Sequence, residues 1–224
     1  IQGLLNPDAH QLLLKPFLVD AFPADRSHRE RRAKLAKHYG LAVDQPWLIA
    51  VAMMRLGDKS RSYSMLAQSL SLIEDLPWQI ILVGDGPART EIEKAFASVA
   101  QQRVCFCGQL DPVATADLLT AADLFTWPAI NEAFGMAILE AHRHGLPVVA
   151  GYTDGVASLV NDGQTGLLTR PPEPVVFASA IRKLLEDPDL RRRMALSARD
   201  KFLEQHDFDA AASRIQQFLL QVRP

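Results

Sequence analysis

The chain reads as α/β: a doubly wound parallel sheet with additional helices at its C-terminal end. Three observations carry that reading. Short continuous apolar runs alternate with helix-like stretches, at about 20 to 25 residues per unit. The runs lack polar alternation, as expected of strands covered on both faces. Glycines and charged residues collect just after the runs, where a parallel sheet presents its carboxyl edge.

Each element follows from its own stretch. Residues 1–27 read as a leading segment or linker, in which "KPFLVDAFPAD" carries two prolines and no clear period. "HRERRAKLAKHY", 28–39, reads as a polar helix closed by Gly40. "PWLIAVAMM", 46–54, is the first strand. A helix over 60–75 follows from apolar spacing at Met65, Leu66, Leu70 and Ile73, with Ser69 on the same face. "WQIILVGDG" is a strand ending in a glycine turn, and 88–100 a helix. "RVCFCG" is a strand, 112–122 a helix, "DLFTWP" a strand, 134–144 a helix and "PVVAG" a strand. "TGLLT" is a last short strand. From about 173 the chain reads as helical. Its final helix has Asp207 placed as N-cap and an apolar stripe at Phe208, Ala212, Ile215, Leu219 and Val222. Residues 28–224 are thus expected to form one ligand-binding domain with a helical C-terminal part.

Composition narrows the function classes. The 224 residues are 48% hydrophobic and 22% charged, ordinary values for a chain that can bury its own core. A net charge of -2 gives no bulk attraction to nucleic acid or to an anionic membrane. No apolar run approaches the ~20 residues of a transmembrane helix. Cys105 and Cys107 stand one residue apart in a strand, so their thiols share a face. They are expected to be buried small residues in a reducing, cytoplasmic compartment.

Ligand motifs in such a fold belong at the carboxyl edge. Gly84-Asp85-Gly86 opens a G-x-G, but Arg89 stands where the third glycine of a dinucleotide fingerprint belongs. Gly86 then serves a tight turn or a close approach of backbone to a ligand. No phosphate-loop motif occurs. Two D-x-D triplets, Asp187-Pro188-Asp189 and Asp207-Phe208-Asp209, fall at helix junctions where Asp caps a helix. His142 and His144, two apart, point to different sides of a helix. No metal site is expected.

The remaining motif is "NEAFGMAILEAHRHGLPVVAG", 131–151, in which seven residues separate Glu132 from Glu140. A helix starting near Phe134-Gly135 offers unpaired N–H groups and a positive dipole end to a phosphate. The two glutamates stand roughly 8 to 12 Å apart on helical geometry. That suits the two ends of one extended ligand better than two carboxylates sharing a proton. Carboxylates accept from vicinal hydroxyls. Arg55 and Lys59, in the loop after the first strand, can neutralise a diphosphate.

Together these parts resemble the C-terminal half of retaining GT-B glycosyltransferases of the family 4 type, with their E-x7-E motif. The resemblance rests on "EAFGMAILEA" and on the order of the R…K loop, "ILVGDGPAR", "RVCFCGQL", "AADLFTWPA", "GLPVVAG" and "NDGQTGLL". It covers about residues 45–190. It implies a domain that binds a nucleoside-diphosphate sugar without a metal or other cofactor, as part of a hexosyltransferase. Arg55 and Lys59 would hold the diphosphate and Glu140 the ribose. Glu132 would lie near the transferred sugar. The Phe134-Gly135-Met136 backbone would meet sugar and phosphates, and Gly108 to Leu110 would flank the base. An N-terminal half, preceding "KPFLVDAF", would supply the acceptor site and the main catalytic groups, so this chain alone is expected not to transfer sugar. The acceptor, be it glycan, lipid or small molecule, is not implied, and the full protein could sit at the membrane periphery. One departure is Ser158, where the family commonly has glutamate. Two other functions fit parts of the pattern. One is a sugar-nucleotide epimerase of the same fold, and the other a non-catalytic nucleotide-binding or interaction module.

Overall fold

The structure, a computed structural model, describes residues 12, 14–18 and 28–221. Most of the leading segment and Val222 lie outside the described residues. Six strands alternate with helices: α1 (His28–Tyr39), β1 (Trp47–Val51), α2 (Asp58–Ser71), β2 (Gln79–Val83), α3 (Arg89–Ala95), β3 (Val104–Gly108), α4 (Pro112–Ala121) and β4 (Leu124–Trp127). Then come α5 (Met136–Arg143), β5 (Val148–Gly151), α6 (Asp154–Leu159), β6 (Gly166–Thr169), α7 (Pro174–Glu186), α8 (Pro188–Gln205) and α9 (Phe208–Gln221).

The strands form one sheet in the order β3-β2-β1-β4-β5-β6, and every pairing is parallel. The apolar runs explain the layering. Leu48, Ile49, Ile80, Ile81, Leu82, Leu124, Phe125, Val148 and Val149 are fully buried, so both strand faces are covered. Each such side chain stabilises the fold by about 1.5–3 kcal/mol. α2 packs on α3 and α7, while α1 packs on α4, α4 on α5 and α5 on α8. α1 is polar for a packed helix, and Arg32 explains how it docks. Its guanidinium donates to the carbonyls of Ala121, Val43 and Gln45, pairs with Asp123 at 2.9 Å and lies 4.0 Å over the Trp47 ring.

The sheet order reverses between β1 and β4. From β1 the chain winds outward through β2 to β3, then crosses back to β4. The loops at the carboxyl ends of β1 and β4 therefore part, which opens a crevice for a ligand.

Several elements differ from the sequence expectation. The helix expected over 88–100 is α-helical only to Ala95, with 3-10 turns at Phe96–Ser98 and Gln101–Arg103. The helix expected from 134 begins at Met136, because Gly135 has φ 75°, outside the helical region. The helix α6 was not anticipated. It is six residues long with a glycine at its second position, too short for a period, and Thr153 caps it through Val156 N–H. Cys105 and Cys107 share a face, Sγ to Sγ 3.7 Å, but are half-buried because β3 is an edge strand. The α9 stripe is largely exposed at Phe208, Ile215 and Leu219. Asp187 caps α8 by accepting from Leu190 N–H at 2.8 Å.

Candidate functional site

Loops after β1, β2, β4 and β5 pack backbone to backbone at the carboxyl edge. A Cβ on Gly86 would stand 2.4 Å from the Met54 carbonyl oxygen, and one on Gly155 only 1.4 Å from that of Ala133. The need for glycine at 86 is thus explained by the β1 loop pressed against it. Gly155 at the start of α6 fixes the loop that leads into α5.

That loop, 128–135, carries the backbone's two non-glycine residues of positive φ among the described residues, Ala129 (55°) and Asn131 (51°). Such conformations cost on the order of 1–3 kcal/mol each and persist only where surroundings hold them. Here Ile130 N–H donates to Ser62 Oγ at 3.1 Å, and Asn131 Nδ2 to Asp58 Oδ1 at 3.3 Å. Thr153 Oγ1 donates to the Glu132 carbonyl at 2.8 Å. The result aims the Glu132 side chain back at the first turn of α2. Lys59 Nζ forms an ion pair with Glu132 Oε2. The same oxygen accepts from Trp127 Nε1 at 3.2 Å, and Lys59 Nζ lies 5.2 Å from the Trp127 ring centroid.

Glu140 occupies a different environment. It lies on the wall of a cavity of about 310 Å³ together with Val51, Leu110, Thr115, Leu119 and Arg143. Val51 ends β1, Leu110 follows β3, Thr115 and Leu119 face in from α4, and Glu140 comes from α5. The cavity thus occupies the switch-point crevice. Burial raises the Glu140 carboxyl above the ordinary glutamate value, with Arg143 opposing the shift. A half-buried carboxylate on a cavity wall is poised to accept hydrogen bonds from a ligand that replaces its lost water. His144 lines the same cavity. Its Nδ1 is 2.9 Å from Thr120 Oγ1, and burial pushes it down to about 4, followed by Arg143 and other cations.

The other expected site residues fall around these two centres. Arg55 is exposed in the turn between β1 and α2. Phe134 and Met136 flank Gly135 and are 48% and 42% exposed at the N-terminal end of α5. A Cβ on Gly135 would lie 3.3 Å from Glu132 Cγ, so the motif's glycine and first glutamate are neighbours. Gly108 ends β3 with φ 69°, and its carbonyl accepts from Gly84 N–H at 2.8 Å. Gly86 is packed against Met54 and does not line the cavity. Lys59 and Glu132 are brought together, as are Leu110 and Glu140. His142 points away from the cavity, fully buried, with neither ring nitrogen hydrogen-bonded among the described residues. No group of three or more His, Cys, Asp or Glu among the described residues could hold a metal ion. No described helix is long and apolar enough to cross a membrane. Sequence reasoning missed Trp127, Ser62 and Thr153. A tryptophan at the carboxyl end of a strand was the one available signal.

Comparison with known proteins adds a family. The family described as glycosyl transferases group 1 matches residues 29–201. The chain belongs to this family. Alpha-D-kanosaminyltransferase of Streptomyces kanamyceticus is 30% identical over 209 residues, 86% of this chain and 54% of that protein. Sucrose-phosphate synthase from Thermosynechococcus elongatus superposes with a TM-score of 0.74 at 25% identity, over 93% of this chain and 49% of that one. Anabaena Alr3699/HepE, solved in complex with UDP and glucose, shares the fold with a TM-score of 0.75 at 24% identity, over 86% and 52% of the two chains. As a glycosyl transferases group 1 chain, it spans about half the length of such relatives. The fold expected from the resemblance is therefore the fold found.

Proposed function

We propose that this chain is the nucleotide-sugar-binding part of a retaining glycosyltransferase that works without a metal. The observation that carries the reading is the switch-point cavity, with Glu140 half-buried on one wall and Leu110 on another, in a chain of the glycosyl transferases group 1 family. The cavity volume suits a nucleoside, since small-ligand pockets start at about 300 Å³. Glu140 accepts hydrogen bonds from the ribose hydroxyls, and the Gly108 to Leu110 segment flanks the base. The diphosphate lies over the N-terminal end of α5, where the Phe134-Gly135-Met136 backbone and the cations of Arg55 and Lys59 meet it. Glu132 faces the transferred sugar.

Charge develops on the diphosphate as the glycosidic bond breaks. Fixed cations and helix N–H groups aimed at that charge stabilise it more than they stabilise the intact donor. Acceptor and remaining catalytic groups come from a partner half, so this chain alone transfers no sugar. Orientation of the acceptor is worth roughly 7 to 11 kcal/mol of barrier. The location consistent with such a donor is cytoplasmic, free or at the membrane periphery.

A thermal-shift panel tests the reading. Nucleoside mono-, di- and triphosphates and UDP- and GDP-sugars are added at millimolar concentration, with and without EDTA. Diphosphates and their sugars are expected to raise Tm, by the equivalent of about 2.7 kcal/mol at 100 times Kd, and EDTA to leave the shift intact. No response to any diphosphate contradicts the proposal.

A further inference from the structure

The donor site as described assigns no role to the indole N–H of Trp127, which is buried against Glu132. The chain has three tryptophans, and all are buried. Two satisfy their N–H locally. Trp47 Nε1 donates to the Ala42 carbonyl at 2.8 Å and Trp78 Nε1 to that of Ile73 at 2.7 Å, each five residues away. Trp127 Nε1 instead donates to a carboxylate, Glu132 Oε2, at 3.2 Å. Its ring is fixed from behind. Tyr63 meets it edge-on with centroids 5.0 Å apart, and the Tyr63 hydroxyl is tied to the Ala52 carbonyl at 2.7 Å.

Two donors therefore share one oxygen, and they differ in freedom. Lys59 carries its ammonium on a flexible stem with three donors. The Trp127 indole is wedged in the core and has one donor in one direction. If Lys59 turns to a diphosphate, the indole is the partner that stays with Glu132. Both bonds fall on Oε2, so Oε1 is the oxygen the network leaves for a donor hydroxyl.

We propose that Trp127 is a positioning residue for Glu132: its N–H holds the carboxylate in register with the sugar of the donor while Lys59 serves the diphosphate. This role rests on the donor-site reading above. A purely structural Trp127 would contribute its ring alone, and the two are separable.

Trp127→Phe keeps an aromatic ring against Tyr63 and removes the N–H. Calorimetry with UDP and UDP-glucose, and with GDP and GDP-mannose, gives the extra affinity due to the sugar. In Trp127→Phe, bare diphosphate binding should stay within about twofold of wild type, while the sugar increment falls about fivefold or more. Ligand-free melting checks the fold of the variant. A second readout follows the indole N–H directly. The three indole N–H resonances are recorded by heteronuclear NMR, and that of Trp127 is the one lost in Trp127→Phe. It should move in Glu132→Gln while those of Trp47 and Trp78 stay, and move again in wild type when the nucleotide sugar is added. An unmoved resonance in Glu132→Gln, or a full sugar increment in Trp127→Phe, overturns the proposal. If wild type binds no diphosphate, the donor-site reading falls and takes this role with it. That outcome is recognisable because the Glu132→Gln shift would still report the bond itself.

Discussion

Lys59 and Glu132, 73 positions apart in the chain, close an ion pair beside the crevice between β1 and β4. The sequence reading gives them separate tasks, one at the diphosphate and one at the sugar. Their contact means that the diphosphate and sugar parts of the proposed donor site are coupled before a ligand arrives. Both side chains are mostly buried, at 20% and 15% exposure, so the pair is screened less than a surface bridge. Urea denaturation of Lys59→Gln, Glu132→Gln and the double variant at pH 7 should give a coupling energy of about 0.5–3 kcal/mol. Simple additivity of the two single variants contradicts the pair.

Glu140 predicts a trade between stability and binding. Burial raises its folded-state pKa above the ordinary 4.5. The native state then binds the proton more readily than the unfolded chain does. Its contribution is fully present below the unfolded value and is lost as pH rises through the raised folded value. At pH 7 the ionised, half-buried carboxylate is therefore unfavourable without ligand. Glu140→Gln should melt higher than wild type at pH 7, and the difference should shrink on acidification to pH 4. The same variant should bind nucleoside diphosphates roughly 10- to 100-fold more weakly. A variant that melts lower at pH 7 and binds normally speaks against both halves.

The histidines set the acid limit. Burial, then Lys201 and His206, pushes His142 down to about 3, and burial pushes His144 down to about 4. Lys201 donates to the Leu159 carbonyl and Asn161 Oδ1, and its own pKa is lowered to about 8, first by burial. For a histidine held neutral in the fold, the unfolded state binds more protons between the two pKa values. Stability is thus present above pH 6.5 and lost as pH falls toward 4. Melting temperature should decline from pH 7 to pH 5, and His142→Leu should flatten that decline. A steeper decline in His142→Leu contradicts the assignment.

Gly155 ties the α6 start to the loop before α5. Gly155→Ala places a Cβ where the Ala133 carbonyl stands, so one of the two backbones must move. We expect a loss of about 1–3 kcal/mol in chemical denaturation, in the range of overpacked sites. The same substitution should weaken diphosphate binding, because the loop that moves leads into Gly135. Gly163→Ala, also in a loop but with open space around its Cβ, should leave binding unchanged.

The strands were readable because each is an apolar run bounded by glycine, proline or charge, and burial on both faces leaves no other place for such runs. The glycine turn and helix start between the two glutamates were readable because they are local. The rest depends on contacts distant in sequence. Nothing near Lys59 signals that Glu132, beyond the neighbouring strand β4, is its partner. Thr115 and Leu119 line the cavity because the crossover from β3 lays α4 beside the crevice, and their own sequence is that of any packed helix. The packing need for glycine at 86 was hidden for a similar reason: the Met54 carbonyl that requires it belongs to another loop. α6 escaped notice because six residues carry no period.

The central claim is that one glutamate serves the nucleoside and the other the sugar, within a single donor site. Calorimetry of the chain and of its Glu132→Gln and Glu140→Gln variants, each with UDP or GDP and with the matching nucleotide sugar, tests it most directly. Glu140→Gln should weaken diphosphate and nucleotide sugar alike, roughly 10- to 100-fold. Glu132→Gln should leave bare diphosphate binding intact or tighter, because Lys59 is released from its carboxylate, and should lose the affinity that the sugar adds. Equal losses of bare diphosphate binding in the two variants would contradict the account.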